Sequence, residues 1–183
     1  DFDDEQWAAD ALAFVETCRG NGIAAALERS RSGDGGHVWI FFAEPVPARE
    51  ARQLGALLLT ETMERRPDIG FASYDRFFPS QDALPTGGFG NLIALPLQRA
   101  ARARGNSVFI DDSLRPFDDQ WAFLSGLPRT TREALTGLVR AAEQEGRILG
   151  VQMPVDDENA DQPWLMLPSR RHRAAPLVES RPS

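Results

Sequence analysis

Lysine is absent from this chain of 183 residues, so all 20 of its positive side chains are arginines. Cysteine is nearly absent too. Cys18 stands alone, which excludes an internal disulfide framework and a cysteine-based zinc site. The two histidines, His37 and His172, lie far apart in the sequence, and no zinc is expected. No apolar run approaches the ~20 residues of a membrane-spanning helix, and no secretory signal opens the sequence, so a cytoplasmic setting without membrane attachment is expected. A net charge of −7 argues against a protein that coats nucleic acid non-specifically, because such binding rests on neutralising phosphates.

What is present reads as a folded chain. Hydrophobic residues make up 42% and charged residues 26%, enough for one domain with a core. The arginines gather locally, at Arg29 and Arg31, at Arg99, Arg102 and Arg104, and at Arg170, Arg171 and Arg173. Such patches on an acidic protein suit transient handling of nucleic acid, or are solvated surface.

Periodicity sketches the elements. Trp7, Ala11, Phe14, Val15 and Cys18 recur at helical spacing after Asp4, a candidate cap, and Gly20-Asn21-Gly22 ends that helix. Ile23 to Leu27 reads as a strand. The glycine-rich loop Ser32-Gly33-Asp34-Gly35-Gly36 then leads through His37 into a strand Val38 to Phe42, which together suggest a hairpin. Ala48 to Arg66 reads as a helix with Leu54, Leu57, Leu58 and Met63 inward. Asn91 to Leu97 and Ser107 to Ile110 read as strands, and Asp118 to Ser125 and Thr130 to Gln144 as helices. The fold class is therefore α+β (mixed α/β), with residues 1–153 as the folded region and 154–183 as a linker or tail with a docking point.

Three stretches could carry chemistry. In Asp1-Phe2-Asp3 at a strand end, alternation sends both carboxylates to one side and Phe2 to the other. Paired hard oxygens suit Mg²⁺ or Mn²⁺, while helix capping or solvated charge would need the same residues. In the Ser32–His37 loop, glycines let backbone N–H groups approach a phosphate, Ser32 adds a hydroxyl, and His37 stands where its ring could donate to a triphosphate oxygen; the alternative is a plain hairpin turn. Asp75, flanked by aromatics in Tyr74-Asp75-Arg76-Phe77-Phe78, could complete a metal site; Asp82 competes, but suits a local turn.

Together these stretches resemble the motif set of archaeo-eukaryotic primases and primase-polymerases: a strand ending in Asp-x-Asp, a Ser-Gly-x-Gly-x-His loop entering a strand, and a third acid. More narrowly, ERSRSGDGGHVWIFF, SYDRFFPSQDALPTGGFGNLIALPLQ, GNSVFIDD and DQWAFL are similar to the primase domain of TOTE conflict systems, prokaryotic defence loci. The resemblance runs from residue 1 to about residue 126 and implies an RRM-like sheet packed with helices. It also implies that Asp1, Asp3 and Asp75 are catalytic, metal-binding acids in a two-metal site for Mg²⁺ or Mn²⁺. His37 becomes the nucleotide contact, aided by Ser32, Gly33 and Gly35, with Arg31 and Gln81 as further nucleotide or template contacts. The implied partners are a nucleoside triphosphate, a primer and a single-stranded DNA or RNA template, with helicase and nuclease modules in the same polypeptide or locus. The implied reaction is template-directed nucleotidyl transfer; the competing reading is a catalytically idle nucleic-acid-binding or scaffold module. Two departures stand out. The αβ unit that members carry before Asp-x-Asp is not in this sequence, so a fragment is expected, and Thr86 occupies a position that is often basic.

Overall fold

A computed structural model of the protein describes residues 1–66, 77–79 and 93–147. Asp75, Gln81, Asp82, Thr86 and the segment 154–183 lie outside the described residues. Among the described residues the order is α1 (Trp7–Gly20), β1 (Ala25–Arg29), β2 (Gly36–Ile40), α2 (Ala48–Arg65), α3 (Arg99–Arg102), β3 (Val108–Ile110), α4 (Gln120–Gly126) and α5 (Arg132–Gln144). The fold is α+β.

The glycine loop does join a hairpin. β1 and β2 pair antiparallel with Glu28 opposite His37 and Ala26 opposite Trp39, and β3 joins the other edge of β1 with Phe109 opposite Glu28. The sheet order is β2-β1-β3. On the outer edge of β2, Phe2 adds one further rung. Its N–H donates to Gly36 O at 2.8 Å, and Gly36 N–H returns a bond of 2.8 Å to Phe2 O.

Alternation along these strands separates two faces. One carries Leu27, Gly36 and Val38 and meets α1, with the Trp7 ring against Gly36 and the Phe2 ring tilted against Phe14 at 6.0 Å. α2 packs on α1 and α5, burying Leu54, Leu57 and Leu58 at the foreseen spacing, while Met63 is only half-buried. The opposite face carries Ala26, Glu28, His37, Trp39 and Phe109. At one end it is covered by Leu97, Phe117, Phe123 and Leu127. At the Glu28–His37 end it meets Asp1 instead.

The edge of β3 is closed by an isolated bridge between Ile110 and Pro116 and by a side chain. The Gln120 amide accepts from Phe109 N–H at 2.6 Å and donates to Phe109 O at 2.9 Å, reproducing a ladder rung. Asp119 caps α4 by accepting from Trp121 and Ala122 N–H, and Thr131 caps α5 by accepting from Ala134 N–H. Asp4 serves a turn before α1, accepting from Gln6 N–H at 2.9 Å, and does not cap that helix.

Three strand expectations need correction. The strand foreseen over Val38 to Phe42 begins and ends two residues earlier, at Gly36–Ile40. The first strand begins and ends two residues later than the apolar run suggests, so Glu28 and Arg29 belong to it. Residues 93–97 form no strand: Leu97 takes a left-handed backbone, φ 63°, where a β ladder cannot continue.

Cys18 is fully buried in α1, and burial pushes its thiol from 9.0 up to about 12. Because the folded value lies above the unfolded one, this contribution is complete below pH 9.0 and is lost as pH rises toward 12, where the unfolded thiol ionises first. The stability advantage of wild type over Cys18→Ala should therefore narrow by about 1.4 kcal/mol per pH unit across that window, read by urea unfolding. A constant gap would show that the thiol is accessible to water.

Candidate nucleotide and metal site

The Phe2–Gly36 rung decides where the acids go. Phe2 is buried at 4% exposure against α1, so Asp1 and Asp3 project to the other side, as strand alternation requires. Asp1 Oδ1 lies 3.3 Å from His37 Nε2. Asp3, exposed to solvent, lays its Oδ1 where a side chain on Gly35 would stand. Gly35 is buried there because only a residue without Cβ leaves room for that carboxylate and the Phe2 carbonyl. Asp1, Asp3, Gly35 and His37 therefore meet at one corner of the sheet.

Behind His37 stands a residue the sequence reading passed over. Glu28 is 1% exposed, and its carboxylate collects three hydrogen bonds. Oε2 meets His37 Nδ1 at 3.1 Å and accepts from Trp39 Nε1 at 2.7 Å, while Oε1 accepts from Ser107 Oγ at 3.0 Å. Ser107 Oγ in turn accepts from Gln98 N–H at 3.2 Å. A left-handed backbone at Ser107, φ 52°, accompanies this placement. The rings of His37 and Trp39 meet edge to face at 6.4 Å, and Trp39 stacks on Phe41 at 6.2 Å. A glutamate ending an otherwise apolar strand, opposite a histidine, was the available signal; its weight depended on strand register, which apolarity alone does not supply.

The glycine loop is fastened largely to itself. Ser32 Oγ contacts Ser30 Oγ at 3.0 Å and accepts from Asp34 N–H at 3.2 Å, and Gly33 N–H points at Ser30 Oγ over 3.4 Å. Asn106, also unforeseen, donates its amide to Arg31 O and Ser32 O at 3.3 and 2.8 Å. Gly33 has a positive φ of 98° and packs against that amide. Arg31 and Ser32 are exposed at the loop, and Arg29 is occupied elsewhere, donating to Gly105 O and Leu114 O. Several loop amides expected to face a phosphate thus donate within the protein, which moves the weight of phosphate recognition toward His37.

The donor chemistry of Asp1 and Asp3, two hard carboxylates on the same side of the Phe2–Gly36 rung, fits Mg²⁺ or Mn²⁺. Among the described residues no group of three His, Cys, Asp or Glu side chains converges as a metal cluster. The expected third acid, Asp75, lies outside them, although Phe77, two residues further on, packs its ring over Gly55 of α2. Among the described residues, no helix is long and apolar enough to cross a membrane.

An α+β domain whose antiparallel sheet sets an Asp-x-Asp rung beside a glycine loop and its histidine is consistent with an archaeo-eukaryotic primase fold. The family model for the TOTE conflict system, archaeo-eukaryotic primase domain, matches residues 1–138, and the chain belongs to that family. No curated protein matches the chain. Family membership points to primase-like nucleotidyl transfer and, with it, to divalent metals, nucleoside triphosphates and nucleic acid.

Proposed function

We propose that the chain carries the catalytic site of a template-directed nucleotidyltransferase, a DNA primase or polymerase that extends a 3′-hydroxyl from NTP or dNTP and releases pyrophosphate. The observation that carries this reading is the rung between Phe2 and Gly36, with Asp1 against His37 and Asp3 against Gly35. Asp1 and Asp3, with Asp75, are the acids that would hold Mg²⁺ or Mn²⁺. Metal bound there supplies charge neutralisation at the α-phosphate and activation of the attacking hydroxyl.

The protein's own part is positioning. His37 presents Nε2 to a phosphate oxygen of the incoming nucleotide, and Ser32, Gly33 and Gly35 shape the loop beside it. Arg31 and Gln81 serve the nucleotide or template. No side chain acts as nucleophile, since the attacking oxygen belongs to the primer strand or the first nucleotide. We place the action of this domain in a prokaryotic conflict system, with helicase and nuclease modules of the same polypeptide or locus, on single-stranded DNA or RNA in the cytoplasm.

The test is His37→Ala. Loss of one hydrogen bond to a charged group should raise the nucleotide KM by about 10- to 100-fold and leave kcat within about threefold. An unchanged KM would remove the phosphate role from His37.

A further inference from the structure

We propose that Glu28 is the positioning residue of the nucleotide site, fixing the ring of His37 so that Nδ1 carries its hydrogen toward the sheet and Nε2 faces outward. This rests on the nucleotide reading of His37 given above, and it concerns the residue behind that contact.

Glu28 and His37 are directly opposed across β1 and β2, so backbone pairing alone brings their side chains together on one face. The carboxylate sits where few acids sit, at 1% exposure, while the His37 side chain keeps 26% exposure. Trp39 Nε1 can only donate, and it donates to the same Oε2 that meets His37 Nδ1. A carboxylate oxygen has no hydrogen to give, so Nδ1 is the donor in the second contact, and Nε2 is the ring atom turned toward Asp1 at 3.3 Å. Ser107 holds Oε1, so the carboxylate cannot swing away without breaking three bonds.

A buried carboxylate is a poor way to gain stability, because an apolar residue of similar volume commonly does as well. Its use here is directional. A histidine held at one nitrogen presents the other at a fixed angle, as occurs where a hydrogen-bonded imidazole serves as a ligand. Rotation about χ2 would exchange the nitrogens' surroundings and turn Nε2, which donates to a phosphate oxygen when the ring carries both hydrogens, away from the phosphate. Glu28 and Trp39 together block that rotation.

The experiment combines imidazole ¹⁵N–¹H NMR on histidine-labelled protein with nucleotide affinity, using Glu28→Leu, Glu28→Gln and His37→Ala. His37→Ala assigns the signals, since the chain has only two histidines. The expected result is a slowly exchanging Nδ1 hydrogen on His37 in the wild type, lost in Glu28→Leu and largely restored in Glu28→Gln, whose amide oxygen can still accept. An Nδ1 without hydrogen in the wild type overturns the proposal, and this readout holds even if Glu28→Leu fails to fold. For nucleotide, Glu28→Leu should raise KM by roughly tenfold, the scale of one lost charged hydrogen bond, with kcat within threefold. It should add less than twofold in the His37→Ala background. An equal effect in both backgrounds would make Glu28 merely structural and overturn the proposal. If His37→Ala leaves nucleotide affinity unchanged while the Nδ1 hydrogen still depends on Glu28, the positioning role stands and the nucleotide reading fails.

Discussion

Replacing Asp3 by alanine is expected to lower template-directed nucleotide incorporation by at least a hundredfold at saturating Mn²⁺, with the melting temperature almost unmoved. The two halves of that expectation have separate causes. Asp3 is exposed and its carboxylate lies over Gly35, which has no side chain to pack against it, and surface changes of this kind usually shift stability by about 0.5 kcal/mol or less. On the proposed reading, however, its carboxylate is half of the metal-holding pair, and removing one preorganised electrostatic stabiliser from an active site costs about 10²–10³ in rate. Primer extension on a single-stranded template, together with a thermal melt, reads both. Wild-type extension by Asp3→Ala would remove the metal role from the Asp-x-Asp pair.

Much of this site could be read before any fold was known, and the reasons are local. Strand alternation put Asp1 and Asp3 on one side and Phe2 on the other, and the Phe2–Gly36 rung realises that arrangement. The glycine loop marked a hairpin, and β1 and β2 form it. Helices α2 and α5 follow their apolar spacing closely. What escaped depends on register and on long-range contacts. Glu28 matters because it falls opposite His37 and beneath Ser107, a partner 79 residues away in sequence. Asn106 reaches back across a similar distance to hold the loop that begins at Arg31. Gln120 supplies a rung at the edge of β3, which its place at the start of a helix did not reveal. Periodicity reports which face a residue takes, not which residue lies across from it.

The network also divides the labour between stability and chemistry along one face. Toward Ala26 and Phe109 the face is apolar and covered. Toward Glu28 and His37 it is polar and hydrogen-bonded, so the groups facing solvent are already oriented there. A site built on paired strands holds its geometry better than one built on loops alone. Asp1, whose residue is itself outside any named strand, borrows that rigidity through a single rung.

That dependence makes Gly35→Ala the most revealing backbone test. A Cβ at this position would fall on the Asp3 carboxylate and 2.8 Å from the Phe2 carbonyl oxygen. Gly35 cannot retreat, because its own carbonyl accepts from Ser30 N–H at 2.8 Å and the next residue is paired on β2. The segment bearing Asp1 and Asp3 must therefore lift away, releasing the two Phe2–Gly36 hydrogen bonds and part of the Phe2 burial. At about 1 kcal/mol net for each hydrogen bond, plus partial exposure of an aromatic side chain, the loss should reach roughly 2–4 kcal/mol. Incorporation should fall as far as in Asp3→Ala, although every acid is retained. Urea unfolding and primer extension on the same preparation separate the two variants: Asp3→Ala is stable and inactive, Gly35→Ala both destabilised and inactive. Full activity in Gly35→Ala would mean that the acids reach their working positions without the rung, and that β2 does not set the geometry of the site.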